Sequence, residues 1–182
     1  VVKGRGSQIS LDPEEFFKNS DLTQRMKDVL HYCLARAAGL NNRGTIYLAT
    51  GFGGGKSHLL TLLFHVFNSK QVPDPQLLSE LSLSNIPDAK IVAVDGHNLT
   101  FPISESEAFS PYLKSTKENT VKALEAEGKP VVILVDELVV YLAKLNDDQK
   151  RQEMAHLHTL LSSVNSTRNC VIVITNPKGA GV

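Results

Sequence analysis

The chain has 182 residues, with 19 Lys and Arg against 19 Asp and Glu, 42% hydrophobic and 21% charged. That composition belongs to a globular domain able to bury a core, and zero net charge argues against a dedicated nucleic-acid binder, though not against a local basic patch. No apolar run approaches the roughly 18 residues of a membrane span, and no secretory signal is visible. Cys33 and Cys170, far apart among apolar neighbours, read as buried free thiols of a reducing, cytoplasmic setting.

Residues 1–10 read as a polar leader, 11–43 as an N-terminal helical segment and 44–182 as the core of the domain. Because the chain starts at Val1 rather than Met, it reads as a fragment of a larger protein. Asp12-Pro13-Glu14-Glu15 has the signature of a helix start: a cap, a proline at the first position, acids in the first turn. A second start is expected at Asp21, with Gln24 at capping-box spacing. From there Leu22, Met26, Val29, Leu30, Cys33, Leu34 and Ala37 recur on one helical face, and Gly39 is the expected stop.

Four short apolar runs follow: 45–49, 91–94, 131–135 and 171–175. Between them lie helical patterns: Leu59, Leu62, Leu63, Val66 and Phe67; a helix ending at Gly128-Lys129-Pro130; Leu138, Tyr141, Leu142 and Leu145; and Met154, Leu157, Leu161 and Val164. Residues 71–89 and 95–111 read as longer loops. Strand–helix alternation of this kind predicts an α/β fold, a parallel sheet flanked by helices. The run 131–135 is apolar at every position, as in a strand covered on both faces.

The first strand leads into Thr50-Gly51-Phe52-Gly53-Gly54-Gly55-Lys56-Ser57 and then a helix, the context of a phosphate-binding P-loop. Backbone N–H groups can close around phosphate oxygens only where side chains are absent and positive φ is allowed, hence Gly51, Gly53, Gly54 and Gly55, with Phe52 and His58 flanking. The helix N-terminus adds unpaired donors and partial positive charge. Lys56 is the expected phosphate contact, and Ser57 a Mg²⁺ ligand for bound ATP. Thr50 stands where the strict pattern has glycine, so the loop entry departs from it.

The strand 131–135 ends in Asp136-Glu137, the form of a Walker B element. Asp136 is expected in the Mg²⁺ shell and Glu137 as the group that polarises the attacking water. In the additional-strand class of P-loop ATPases a further strand lies between the phosphate-loop strand and the acidic strand. Asn176, at the end of the fourth strand, is then the candidate for touching the γ-phosphate or the water, with Thr175 second; the competing reading is a turn-favouring Asn before Pro177.

Taken together, GFGGGKSH running into LLTLLFHVF, VVILVDELVVYLAKL, VIVITNP and the upstream DPEEFF resemble the large prokaryotic P-loop ATPases catalogued as domain of unknown function 499, over roughly residues 11–177. Tyr141 and His58 are among the more specific parts of that resemblance. It implies an AAA-like ATPase within a large multidomain protein, often encoded near DNA-modification and phage-defence genes. The implied partners are ATP and ADP, the remaining domains of the same protein and further copies in an oligomer. Nucleic acid is a partner only for the whole protein, and a membrane is not expected.

Other residues read as structural. Glu153 and His156 form a single E-x-x-H, too little for a di-metal bundle. Phe16 and Phe17 read as core aromatics rather than an adenine pocket. Asp95 and His97 fall at the sheet edge, away from the phosphates. Arg168 precedes the fourth strand, at the end opposite the nucleotide. There is no Asn-Lys-x-Asp element for GTP. A small-molecule kinase leaves Glu137 unexplained, and a DEAD-type helicase requires residues after Asp-Glu that are absent. The alternative to an ATPase is a nucleotide-binding switch or scaffold with negligible turnover. With four readable strands and the last ending near Val182, the core is expected to be incomplete at its C-terminus.

Overall fold

The computed structural model describes residues 12–50 and 55–177. The leader 1–10 and the glycine-loop positions Gly51, Phe52, Gly53 and Gly54 lie outside the described residues.

Four parallel strands, β1 (Thr45–Thr50), β2 (Lys90–Asp95), β3 (Val131–Asp136) and β4 (Val171–Pro177), form one sheet in the order β1-β4-β3-β2. β4 thus lies between the strand that enters the glycine loop and the strand that ends in acids. β1 and β2 are the edges. All carboxyl ends point the same way, so the segments that follow the strands gather along one rim, where open α/β sheets bind their ligands.

Helices cover both faces. They are α1 (Pro13–Lys18), α2 (Gln24–Ala37), α3 (Lys56–Ser69), α4 (Gln76–Glu80), α5 (Lys117–Glu125), α6 (Leu138–Ala143) and α7 (Asp147–Ser166). Alternation along the inner strands sorts the core into two halves. Val132, Leu134, Val171 and Val173 face α1, α2 and α3, where they meet Phe16, Leu30, Leu34, Leu62, Leu63 and Phe67. Val131, Ile133, Val135, Ile172 and Ile174 face the other way, onto Leu124, Tyr141, Leu157, Leu160 and the loop residues Ile103, Phe109 and Leu113. Phe16 is a core aromatic.

The helix ends follow local chemistry, with two corrections to the sequence reading. Asp12 caps α1 as expected, accepting from the N–H groups of Glu14 at 2.9 Å and Glu15 at 3.2 Å. The cap of α2, however, is Thr23 rather than Asp21. Its extended backbone brings Oγ1 to the Met26 N–H at 3.3 Å, and Gln24 becomes the first helical residue, donating to Asp28 instead of closing a capping box. A capping box does form on α7, between Asn146 and Gln149. The second correction concerns α7's buried stripe, which is Glu153, Leu157, Leu160, Ser163 and Val164, leaving Met154 48% exposed. Gly39, at φ +75°, ends α2 in a Schellman arrangement: its own N–H bonds Arg36 O and the Leu40 N–H bonds Ala35 O.

Arg36 joins the N-terminal helices to the sheet. Its side chain is buried, yet its guanidinium donates to the carbonyls of Cys170 (2.9 Å), Asn41 (2.8 Å), Val164 (3.1 Å) and Thr167 (2.6 Å). These include carbonyls at the C-terminal end of α7, which have no helical partners and carry its negative pole. Burial lowers the guanidinium pKa from its ordinary value, but the group stays charged. Arg36→Ala leaves several buried carbonyls unpaired. At about 1–3 kcal/mol for each unsatisfied group, partly offset by relaxation, it is expected to cost roughly 3 kcal/mol or more. Urea unfolding checks this, through a lowered midpoint at unchanged slope.

Candidate functional site

β1 ends at Thr50 and α3 begins at Lys56. The residue before the helix, Gly55, has φ +71°, and a Cβ there would meet nothing within 4 Å. The glycine is required by the backbone angle, not by crowding. Lys56 and Ser57 open a 14-residue helix.

A cleft of about 340 Å³ lies between this helix start and the ends of β2 and β3. Ser57 and Asp136 both line it, together with Asp95, His97 and Asn98, over an apolar floor that includes Leu60, Phe64, Ala93 and Leu134. A serine hydroxyl and a carboxylate are hard oxygen donors, the kind that bind Mg²⁺ alongside phosphates and water. Among the described residues no group of three or more His, Cys, Asp and Glu could hold a metal by itself.

The acidic pair is fixed by β4. Thr175 is fully buried, and its hydroxyl donates to Asp136 Oδ1 at 2.5 Å while accepting the Glu137 N–H at 3.0 Å. Asn176 Oδ1 accepts from the Val139 N–H at 3.3 Å and so caps the first turn of α6. Its side chain is engaged with α6 and is absent from the lining of the cleft. Glu137 sits between strand and helix at φ 50°, ψ 48°, a left-handed conformation that costs a non-glycine residue of order 1 kcal/mol or more. The conformation turns its carboxylate toward the segment after β2. Gly96 presses on it from that side, since a Cβ at Gly96 would lie 2.2 Å from Glu137 O.

Asp95 and His97 also line the cleft. β2 is the sheet edge, as expected, but its carboxyl end reaches the cleft. His97 Nδ1 lies 3.0 Å from Asp95 Oδ1 and 3.6 Å from Glu137 Oε2. The sequence signal was Asp95-Gly96-His97-Asn98 directly after a strand, a turn that can bend back over the rim only with glycine at its second position. His58, by contrast, packs its ring on Phe16 with centroids 4.6 Å apart, and partial burial lowers its pKa. It joins α3 to α1 and does not line the cleft.

Glu153 and His156 form a structural pair. Glu153 is fully buried, accepts the Ile103 N–H at 3.2 Å and meets His156 Nδ1 at 3.1 Å. This fixes the loop after β2 to α7. Tyr141 is buried beside Glu153, and burial together with that carboxylate raises its pKa above the ordinary phenol value. Both cysteines are buried and unpaired with each other, and burial raises their thiol pKa values. Among the described residues no helix is long and apolar enough to cross a membrane.

Comparison with known proteins bears on the fold and the family. No curated protein matches the chain in sequence. Among solved structures, the E. coli MS115-1 HORMA:CdnC:Trip13 complex contains a chain similar over 93% of this one and 60% of its own length, at 13% identity and TM-score 0.54. C. elegans PCH-2 matches over 93% of this chain and 42% of its own, at 17% identity and TM-score 0.51. Drosophila ORC bound to DNA contains a chain that matches over 90% of this one and 42% of its own, at 16% identity and TM-score 0.51. This chain spans less than two thirds of each. At such identities the likeness is one of fold: the four-stranded parallel sheet with flanking helices is that of AAA+ P-loop domains. In sequence, the model of the DUF499 N-terminal domain matches residues 1–94 of the 182, and the chain belongs to that family.

Proposed function

We propose that this domain binds ATP with Mg²⁺ and hydrolyses it, coupling turnover to conformational change in a larger protein. The observation that carries the reading is the shared cleft: Ser57, at the start of the helix behind the glycine loop, and Asp136, at the end of the apolar strand, line one cavity with Glu137 beside it. In this reading the loop from Gly51 to Gly55 and the α3 N-terminus bind the phosphates, and Lys56 adds a point charge to them. Ser57 and Asp136 hold the Mg²⁺, which when bound neutralises charge developing on the phosphate oxygens. Glu137 takes the proton of the attacking water. Asn176, which caps α6, stays close to the same rim and is the second candidate for orienting that water. Thr175 holds both acids to β4. The fold likeness to AAA+ domains supports nucleotide as the ligand, and supports an oligomer as the working form.

Three measurements test this. With ATP and Mg²⁺ at about 100-fold above Kd, binding adds about 2.7 kcal/mol of stability. For a domain of this size the melting midpoint should rise by roughly 5–10 °C. Lys56→Ala should abolish the rise while leaving the ligand-free midpoint nearly unchanged, and an equal rise in that variant would remove the phosphate-loop assignment.

In full-length protein Glu137→Gln should keep ATP affinity near wild type and lower turnover by about 10²-fold or more. Asp136→Asn should instead weaken Mg²⁺-dependent binding. Isothermal titration beside a phosphate-release assay separates the two. A wild type that binds ATP but releases no phosphate would make the domain a nucleotide switch.

Thr175→Val keeps the shape of the residue but leaves the Asp136 carboxylate and the Glu137 N–H without their buried partner. It should cost about 1–3 kcal/mol in stability and weaken the Mg²⁺ dependence of binding. Denaturant unfolding combined with a Mg²⁺ titration reads both.

A further inference from the structure

A second cleft, of about 440 Å³, runs along β2, and all six residues of the strand line it. Ile91 and Ala93 pack toward one half of the core, Val92 and Val94 toward the other. A cleft lined by both sets lies along the edge of the sheet rather than over one face. The Lys90 N–H donates to Pro130 O at 2.8 Å, so in this parallel ladder Lys90, Val92 and Val94 turn their backbone groups toward β3. Those of Ile91 and Ala93 turn outward. Among the described residues nothing donates to them or accepts from them.

Edge strands are commonly kept from pairing by a proline, a bulge or a charge in mid-strand. β2 has none of these. Its charges stand at its ends, Lys90 and Asp95, with Ile91-Val92-Ala93-Val94 between them and an unbroken register to β3. Beside it runs a wall. The chain leaves the carboxyl end of β2 at Asn98 and returns to the amino end, where the Tyr112 hydroxyl donates to Glu127 Oε1 at 2.7 Å, three residues before Pro130. This wall is anchored: Ile103 and Phe109 are buried in the core, and the Ile103 N–H bonds Glu153. An open row of backbone donors and acceptors thus lies in a preformed groove, the arrangement that accepts an added strand.

The lining selects the occupant. Leu99, Ala108, Pro111 and Tyr112 make it apolar, and its charges are Lys90 against Asp95, Glu107 and Glu127. An acidic groove repels nucleic acid and free phosphates. A second copy of β2 would bring the same excess of carboxylates to the same edge, so self-pairing is disfavoured too. An extended strand offers its side chains alternately to two sides, so one set can meet the apolar lining while the other carries positive charge. We infer that the edge of β2 binds, by strand addition, an extended segment of a partner protein in which apolar residues alternate with lysine or arginine. The inference goes beyond the proposed hydrolysis and does not depend on it.

The test uses full-length protein without nucleotide, at physiological salt, and two fluorescein-labelled peptides of about ten residues, long enough to span a strand of this length. One alternates valine with lysine, the other valine with glutamate. By anisotropy the lysine peptide should bind at least about 10-fold more tightly than the glutamate peptide. Ala93→Pro removes an N–H that pairs with nothing in the sheet and sets a ring on the edge. It should keep the melting midpoint near wild type and weaken the lysine peptide by about 10-fold or more. Glu107 is exposed, so Glu107→Lys leaves the fold untouched and should weaken the same peptide by about 5-fold. Hydrogen exchange at single-residue resolution locates the contact: the Ile91 and Ala93 amides should exchange fast in the protein alone and at least about 10-fold more slowly with the lysine peptide. Equal affinity for the two peptides, or binding that leaves these two amides fast, overturns the inference. So does slow exchange at both before any peptide is added, since the edge is then already covered by another part of the protein or by a second copy.

Discussion

β3 is enclosed by protein on all sides until its last residue, and the site depends on that enclosure. Val131, Val132, Ile133, Leu134 and Val135 are each no more than 3% exposed, with helices above and below and a parallel strand on either edge. No charge can lie within that stretch, because an unpaired carboxylate there would lose its hydration. The first acids can appear only where the strand reaches the rim, and there both neighbours supply what they need: the Thr175 hydroxyl from β4 on one side, the turn after β2 on the other. The order β1-β4-β3-β2 puts each of those neighbours in place. Ser57 is brought in from β1 by the helix that follows it, across the face of the sheet.

The backbone at Glu137 follows from the same constraint. A strand that ends in a helix over a covered sheet must reverse within a residue or two. Glu137 takes the left-handed angle that makes the reversal possible. The cost is offset by contacts on and beside that residue: its N–H to Thr175, its carbonyl under Gly96, and, two residues on, the Val139 N–H to Asn176. Strain held by several independent contacts is a familiar property of residues that must keep one orientation.

Most of the frame was legible in the sequence, because its signals are local. Periodicity separated strands from helices, the apolar run 131–135 marked the buried strand, and glycines before Lys56-Ser57 marked the turn into α3. The readings that failed required knowledge of what lies across a gap. Nothing in residues 21–26 says that Thr23 rather than Asp21 will cap α2, since both have suitable side chains and only the entry angle decides between them. Met154 fits a helical stripe, but the partner of α7 is α5 and not the sheet alone, which rotates the buried face toward Leu160 and Ser163. Asp95 and His97 belong to an edge strand, and edges read as peripheral. That their turn folds back over the rim depends on Gly96 meeting a carbonyl from residue 137, a contact 41 positions away. Thr175 was read only as a second choice for phosphate, while the geometry gives it the more basic task of holding both acids.

The two ends of the sheet carry different sets of contacts. At the amino-terminal rim Arg36 gathers the carbonyls of Cys170, Val164 and Thr167, and Asn165 joins the Gly44 N–H to the Thr45 hydroxyl. These contacts lock α2, α7 and the entries to β1 and β4. At the carboxyl rim the contacts are among acids, their donors and the start of α3. A strand of six residues spans about 20 Å, roughly two to three times the distance over which side-chain substitutions usually influence one another. The amino-terminal lock can therefore be tight without constraining the rim where the left-handed residue and the clustered carboxylates sit. What passes between the two is the rigid parallel register, which carries position rather than energy. A domain arranged in this way can concentrate strain and like charge at one edge of its sheet because the buried guanidinium at the other edge does not depend on either.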